Sequence, residues 1–285
     1  MGLDKIVSEI KPNIVRSYGS NSEAEICTEI GRNYNIPSVT SIHNLFPTHK
    51  IKGIENIICV SDAVKEKCLE IGIDKKKLIV ISNGLDLNVF RNYEESVKVD
   101  ELTEKYSGKY RIISVGRLVW QKNLENLIKA SKIVSDKLEG FSHIHIGEFG
   151  LLKDRISELS REINHRDFYL IPNVDQKTLA HFYSWANLFV MASISEGFGI
   201  AYIESLACET PVITSDIAPM NSYVFDKFNG LLVNPDSPED IAKKIIIALT
   251  DNELYSTLKS NARPSVIKFD INKVKKQEAD FYKRI

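Results

Sequence analysis

A chain of 285 residues exceeds the usual size of a single domain, roughly 100–200 residues, and therefore predicts two domains. Hydrophobic residues make up 43% of the chain and charged residues 26%, which excludes a disordered or a fibrous protein. The 37 Lys and Arg nearly balance the 38 Asp and Glu. No global field is available to hold nucleic acid, so we expect no nucleic-acid partner.

The first 90 residues predict a small α/β domain. A helix is expected over 3–10, and short β-branched runs predict strands, at 13–17, 38–42, 56–60 and 78–81. The polar segment 91–109 carries Glu94-Glu95 and ends near Ser107-Gly108. It predicts an exposed helix and a linker.

Residues 110–270 predict a larger, doubly wound α/β domain, because short apolar runs alternate with helix-period segments. Its strands are expected at 111–115, 143–146, 168–171, 188–191, 211–214 and 230–233. Two of its helices are expected at 124–137 and 241–249. Residues 271–285 predict a last amphipathic helix, with Val274, Ala279 and Phe281 as its apolar contacts.

The four cysteines, Cys27, Cys59, Cys68 and Cys208, are scattered and form no C-x-x-C pair, so we expect reduced thiols rather than a zinc site or disulfides. No apolar stretch approaches the roughly 20 residues of a membrane span, and the first residues do not open a signal peptide. We therefore expect a cytoplasmic protein, and a peripheral contact with the inner membrane face is compatible with this.

Two segments that follow predicted strands carry the candidate site. After the strand ending at Val115, the chain contains Gly116, Arg117 and Lys122 before the next helix. Two cations beside a helix N-terminus favour a diphosphate, although a solvated loop with ordinary surface cations has the same composition.

The second segment follows the strand 188–191 and contains Glu196, Gly197, Phe198, Gly199 and, seven residues after Glu196, Glu204. The glycines allow close approach of a ligand to the backbone, and the helix that starts near Gly199 presents its amides there. Carboxylates accept hydrogen bonds from the vicinal hydroxyls of sugars and ribose. Because ligands of open α/β sheets bind at the carboxyl ends of strands, both segments fit a nucleotide diphosphate flanked by a sugar and a ribose.

These segments, together with Ser82-Asn83-Gly84-Leu85-Asp86, resemble the motifs of glycosyltransferase family 4, among the group 1 glycosyltransferases. The resemblance covers roughly residues 55–285. It implies a GT-B fold of two Rossmann-like domains and a retaining, metal-independent enzyme. The co-substrate would be a UDP- or GDP-sugar, with no other cofactor, and the acceptor a glycan or lipid-linked molecule of cell-surface polysaccharide or glycolipid synthesis.

The resemblance also implies residue roles. Arg117 and Lys122 would neutralise the diphosphate, and together with Glu196 they would be the catalytic residues. Glu204 would hold the ribose, and main-chain groups near Val174 would meet the base. Glu196, with the amides around Phe198–Ile200, would hold the donor sugar, which gives a donor-binding set of Gly116, Arg117, Lys122, Val174, Glu196, Gly197, Phe198, Gly199, Ile200 and Glu204.

The departures from the family pattern concern the N-terminal domain. Members usually begin with a further strand and a glycine-rich loop, so the resemblance implies that residues 1–90 form a shortened acceptor-side domain, with 271–285 packing back toward it. A nucleotide-sugar-binding partner subunit, or an inactive fragment that needs a complementing chain for acceptor binding, therefore stays open as the alternative. An epimerase or phosphorylase of the same fold is a third interpretation, which the spacing of Glu196 and Glu204 disfavours.

A histidine pair and a lysine run could each indicate a binding site or ordinary protein structure. His143 and His145 lie two apart on a strand and share one face, but no third ligand is visible nearby, which favours packing over a metal pair. The run Lys75-Lys76-Lys77 favours a solvated loop over a membrane contact.

Overall fold

The computed structural model describes residues 3–93, 106, 108–148, 150 and 152–285. The chain divides into two compact units, one formed by Met1–Gly84 with Ile271–Ile285 and the other by Leu85–Asp270. Most of the predicted helix and linker at 91–109, including Glu94 and Glu95, lies outside the described residues.

The first unit contains a wholly parallel sheet of four strands in the order β1-β2-β3-β4. The strands are β1 (Val15–Tyr18), β2 (Ser38–Ile42), β3 (Asn56–Cys59) and β4 (Leu78–Val80). The helices are α1 (Leu3–Ile10), α2 (Ser22–Tyr34), α3 (Asp62–Glu70) and, from the far end of the chain, α10 (Ile271–Tyr282). All four strands begin or end within two residues of their predicted bounds, which is the usual scatter in assigning ends.

Helix α10 completes the core of the first unit. Val274 packs in a buried cluster with Val39, Ile58 and Ile81, and Phe281 packs against that cluster. The predicted contact of Ala279 is wrong, since this residue is exposed. Tyr282 and Ile285 pack against the cluster instead.

An arginine of the first strand fixes the position of this helix. The guanidinium of Arg16 donates to Glu278 Oε1 at 3.0 Å, to the Tyr282 hydroxyl at 2.5 Å and to Ser41 Oγ at 2.7 Å. The ion pair with Glu278 is about three-quarters buried or more on both sides. Arg16 is therefore occupied by structural contacts in the first unit.

The second unit contains a parallel sheet of six strands in the order β10-β9-β8-β5-β6-β7. The strands are β5 (Tyr110–Val115), β6 (Phe141–Ile146), β7 (Phe168–Ile171), β8 (Leu188–Met191), β9 (Val212–Ser215) and β10 (Gly230–Val233). The helices are α4 (Leu124–Ser135), α5 (Lys153–Glu162), α6 (Gln176–Trp185), α7 (Ile200–Ala207), α8 (Pro238–Thr250) and α9 (Asn252–Val266).

Local sequence explains where these elements begin. Helix α8 starts with Pro238 in its first turn, and the side chain of Ser237 accepts a hydrogen bond from the amide of Asp240. Strands β6 and β8 are buried at every residue, as expected of central strands covered on both faces. The result is the α/β architecture that the sequence predicts.

The strand order of the second unit reverses between β5 and β8, which are neighbours in the sheet although they are far apart in the chain. In open α/β sheets, ligands bind in the crevice outside the carboxyl ends of the strands at such a switch point. The segments after β5 and β8 are those that carry the predicted site residues.

Among the residues that the structure describes, none of the helices is both long and apolar enough to cross a membrane.

Candidate functional site at the switch point of the second sheet

The segment after β5 is fixed by hydrogen bonds to neighbouring strand ends. The amide of Gly116 donates to the Ile146 carbonyl at 3.0 Å, and the amide of Leu118 donates to the Glu148 carbonyl at 3.2 Å. Asn123, in the left-handed conformation at φ 52°, precedes α4, and its side-chain amide donates to the carbonyls of Ala192 and Pro235. One side chain thereby connects the segments that follow β5, β8 and β10.

An ion pair joins the two predicted segments. Lys122 Nζ donates to Glu196 Oε1 at 2.6 Å, and the side chains are only 19% and 11% exposed. Ser193 Oγ donates to the same carboxylate oxygen at 2.9 Å. The structure therefore brings together Lys122 and Glu196, which are 74 residues apart in the chain.

Two tyrosines, Tyr202 and Tyr223, lie against the backbone of Phe198 and Gly199. Gly199, at φ +78°, caps α7, and an added Cβ would lie 2.7 Å from the ring of Tyr202 and 2.9 Å from the hydroxyl of Tyr223. The Tyr223 hydroxyl donates to the Phe198 carbonyl at 2.6 Å. A side chain at position 199 would displace this support, so only glycine fits here.

The predicted donor-binding residues of this segment differ in what they offer a ligand. Phe198 is 5% exposed and packs edge-on against Phe269, so only its main chain is available. Ile200 is 42% exposed at the first turn of α7, where the amides have no partner inside the helix.

Glu204 lies one turn into α7 and is 9% exposed. The pKa of this carboxyl is raised to about 7, because burial raises it by more than the hydrogen bond from the Tyr183 hydroxyl to Oε2, at 3.0 Å, lowers it. Tyr183 itself is fully buried. A buried carboxyl with one acceptor oxygen held by Tyr183 is oriented before any ligand arrives.

Arg117 and Val174 are placed at strand ends but are not joined to the Lys122–Glu196 pair. Arg117 follows β5 directly, is exposed, and makes no ion pair within the described part of the chain. Val174 is half-buried in the segment between β7 and α6, and no hydrogen bond among the described residues connects it to the other predicted residues.

Sequence reasoning missed the residues that support these groups. Ser193 had a signal, because it follows β8 by two residues at the edge where ligands bind. Tyr183, Tyr202 and Tyr223 had none, since they approach from helices and turns that no strand-end rule selects.

His143 and His145 are fully buried and both bond to Ser114 Oγ, at 2.9 and 2.8 Å. In the described ranges no group of three or more His, Cys, Asp or Glu is arranged to hold a metal ion. Lys77 of the Lys75–Lys77 run pairs with Glu55 at 2.9 Å.

Comparison with known proteins gives a family and a fold. The family described as glycosyl transferases group 1 matches residues 98–265, more than half of the chain. An uncharacterized glycosyltransferase of Methanocaldococcus jannaschii is 29% identical over 253 residues, which are 84% of this chain and 66% of that protein. The UDP-Gal:alpha-D-GlcNAc-diphosphoundecaprenol alpha-1,3-galactosyltransferase of Escherichia coli is 24% identical, over 86% of this chain and 64% of its own. The chain thus spans less than two thirds of the length of either relative.

The structure resembles HepE of Anabaena, solved in complex with UDP and glucose. The TM-score is 0.88 at 18% sequence identity, and the match covers 99% of this chain and 81% of HepE. This likeness shows the fold, which is the GT-B type that the sequence resemblance implies.

Proposed function

Because the chain belongs to the group 1 glycosyl transferases, we propose that it moves a sugar from a nucleotide-diphosphate sugar, a UDP- or GDP-sugar, to a glycan or lipid-linked acceptor. The E. coli relative is named for an acceptor carried on diphosphoundecaprenol. An acceptor of cell-surface polysaccharide or glycolipid synthesis suits the present chain, which would then work in the cytoplasm, in peripheral contact with the inner membrane face.

The observation that carries this proposal is the Lys122–Glu196 pair at the switch point. A cation for phosphate and a carboxylate for sugar hydroxyls lie 2.6 Å apart beside the first turn of α7. A nucleotide-diphosphate sugar presents a diphosphate directly joined to a sugar, so the two halves of the pair match the two sides of the bond that must break.

In the proposed reaction the sugar–phosphate bond breaks, and negative charge accumulates on the leaving diphosphate. Arg117 and Lys122 would stabilise that charge, and Glu196 would hold the sugar as it becomes positively charged. Glu204 would hold the ribose and the main chain near Val174 the base. We further propose, from the family resemblance, that the configuration at the transferred carbon is retained and that no metal ion takes part.

A binding subunit that needs a complementing chain is the second candidate. It is favoured by the open edge of the first unit, where β1 ends the sheet and Tyr18 is 62% exposed. An apolar groove of about 510 Å³ lies along that edge, between α1 and α2. Turnover by the chain alone decides between the two candidates.

The function is tested with Glu196→Gln. We expect affinity for UDP or GDP, whichever the parent binds, to stay the same or rise slightly, because the substitution frees Lys122 from its partner. The extra affinity for the intact donor should be lost, and turnover should fall by about 100-fold or more, since the carboxylate stabilises a charge that develops only in the transition state.

Calorimetric titration and donor hydrolysis measure these effects, with Glu139→Gln as the control, since Glu139 is an exposed carboxylate that precedes β6 and so lies at the opposite edge of the sheet. Equal losses for the nucleoside diphosphate and the donor would remove the assignment of Glu196 to the sugar. Parental turnover without an added chain would exclude the binding-subunit candidate.

Metal independence is tested by chelation. With two cationic side chains to neutralise the diphosphate, EDTA should change donor binding and turnover by less than about twofold, because no divalent ion is needed to bridge the phosphates. The control is a Mg²⁺ titration after chelation. Loss of binding in EDTA that Mg²⁺ restores would replace the cation-clamp mechanism with a metal-dependent one.

A further inference from the structure

A chain of buried histidines and serines ends on the backbone of the donor segment. His145 lies on β6 with its Nε2 3.0 Å from the Gly116 carbonyl oxygen. A carbonyl only accepts, so Nε2 carries the proton, and Nδ1 must then accept from Ser114 Oγ at 2.8 Å. The tautomer of His145 is therefore fixed by the Gly116 carbonyl.

The same reasoning sets the next proton in this row of histidines and serines, that of His143. Ser114 has given its proton to His145, so at 2.9 Å it accepts from His143 Nε2. His143 Nδ1 lies 3.0 Å from Ser131 Oγ, whose proton is also within reach of the Ile128 carbonyl at 3.0 Å, and Ser131 accepts from His165 Nε2 at 2.8 Å. His165 Nδ1 is then left as a bare lone pair, which agrees with its having no hydrogen-bond partner among the described residues.

Neutral histidines are what this order requires, and burial supplies the condition. All three rings are at most 4% exposed. Burial and the charge of Lys122 together lower the pKa of His145 to about 4, although the hydrogen bond to the Gly116 carbonyl raises it. Burial also lowers the pKa of His165 to about 4 and that of His143 well below its ordinary value, so all three histidines stay neutral at physiological pH.

The Gly116 carbonyl is confined from two sides. An added Cβ on Gly147 would lie 1.8 Å from the Gly116 oxygen, so only a glycine lets β6 approach this closely. In the planar trans peptide that joins Gly116 to Arg117, the C=O and the N–H point in opposite directions. Holding the carbonyl against His145 therefore directs the Arg117 N–H away from the β6 interior, and this N–H has no acceptor among the described residues.

We propose that His145 is a positioning residue of the donor site: by holding the Gly116 carbonyl it aims the Arg117 N–H at the donor's diphosphate. The inference rests on the proposed function for the identity of the ligand. The orientation of the peptide itself follows from the hydrogen bonds and does not depend on it.

His143 provides a matched control for the test, since it is equally buried, lies on the same face of β6 and bonds to serines on both sides. His145→Leu should weaken UDP or GDP binding by about tenfold or more beyond His143→Leu, since a backbone hydrogen bond to a charged phosphate is of that size. His145→Gln, whose amide restores a donor near the Nε2 position, should recover most of this loss.

The Arg117 amide reports on the proposal without any nucleotide. In ¹⁵N NMR spectra of the ligand-free protein, its resonance should shift in His145→Leu, return toward the parental position in His145→Gln, and stay in place in His143→Leu. Should the leucine variants not fold, His145→Asn against His143→Asn makes the same comparison with polar side chains, because the shorter amide of asparagine does not reach the position of His145 Nε2.

Two results are distinguishable. If the parent binds no nucleotide while the Arg117 amide follows His145, the proposed function fails and the positioning role stands. If His143→Leu and His145→Leu weaken nucleotide binding equally, or if the Arg117 amide ignores His145, the positioning role is overturned.

Discussion

Replacing Lys122 with alanine is expected to weaken nucleoside-diphosphate binding by at least about 100-fold, more than the same change at Arg117. Each substitution removes a charge-assisted contact worth about 1.5–3 kcal/mol, and every 1.4 kcal/mol is about a factor of ten. Within the described residues Lys122 is paired, with Glu196 at 2.6 Å, and Arg117 is not. Its loss also leaves an unpaired carboxylate beside the incoming diphosphate, and that repulsion adds to the lost contact.

The double variant Lys122→Ala with Glu196→Gln separates the two contributions. Removing the unpaired charge should restore about tenfold of the affinity for UDP or GDP, so the two substitutions are not additive. Arg117→Ala with Glu196→Gln is the matched control and should show near-additivity, since Arg117 is exposed and unpaired among the described residues. Calorimetric titration of all variants gives the cycle. Unchanged affinity in Lys122→Ala would remove Lys122 from the diphosphate site, and additive effects would show that the pair does not act as a unit.

The framework of the second unit was predictable because parallel strands buried on both faces have a simple signature. The apolar runs at 168–171, 188–191 and 230–233 give strands with the predicted bounds. The rule that ligands bind at carboxyl strand ends then selects the segments after β5 and β8, and the structure joins them through Lys122 and Glu196.

The supporting side chains of the site were not predictable, because they arrive through the tertiary structure. Nothing in the sequence near Tyr223 indicates that its hydroxyl meets the Phe198 carbonyl 25 residues away. The interpretation of His143 and His145 as packed in the sheet is confirmed, since both are fully buried. What pattern could not show is that His145 bonds to the Gly116 carbonyl and that Ser114, on the neighbouring strand, links His143 to His145.

Helix periodicity alone also misassigned one face of α10. Ala279 was expected at the core, but the helix turns Tyr282 toward it, where the hydroxyl accepts from Arg16. Arg16 of β1 pairs with Glu278, which lies on the same helix as Tyr282, and this largely buried ion pair favours the observed orientation. Hydrophobic pattern does not contain that information, since the pairing partner lies 262 residues away.

Glu204→Gln is expected to make the protein more stable and worse at binding. The pKa of Glu204 lies near 7 in the folded protein, above the ordinary value of a glutamate in an unfolded chain. Folding therefore costs free energy once the unfolded chain ionises, and this cost grows as pH rises from about 4.5 to about 7 and is fully present above that. At pH 8 this cost amounts to about 3 kcal/mol. The neutral amide of glutamine avoids it and can still accept the hydrogen bond from the Tyr183 hydroxyl.

Urea unfolding of parent and variant at pH 8 and pH 5 checks the sign. The gain in unfolding free energy should be about 3 kcal/mol at pH 8 and fall to about 1 kcal/mol at pH 5, where Glu204 is protonated in the folded protein but still largely ionised in the unfolded chain. The buried histidines destabilise both proteins alike at pH 5, so their effect cancels in the difference. The same substitution at Glu196 is the control and should lower stability, because it removes the partner of the largely buried Lys122.

Binding should move in the opposite direction to stability. A carboxylate accepts two hydrogen bonds from vicinal ribose hydroxyls, and glutamine offers one acceptor oxygen, so UDP or GDP and the intact donor should lose affinity by a similar factor, about tenfold. Functional residues often lower the stability of the folded protein, and Glu204 would do so because it is needed for ligand binding. A carboxyl without a role in binding would lower stability with no such benefit. A variant that is stabilised at pH 8 yet binds nucleotide and donor as the parent does would show that Glu204 is not the ribose ligand. A variant that is destabilised at pH 8 would show that the carboxylate has a buried partner that offsets its desolvation.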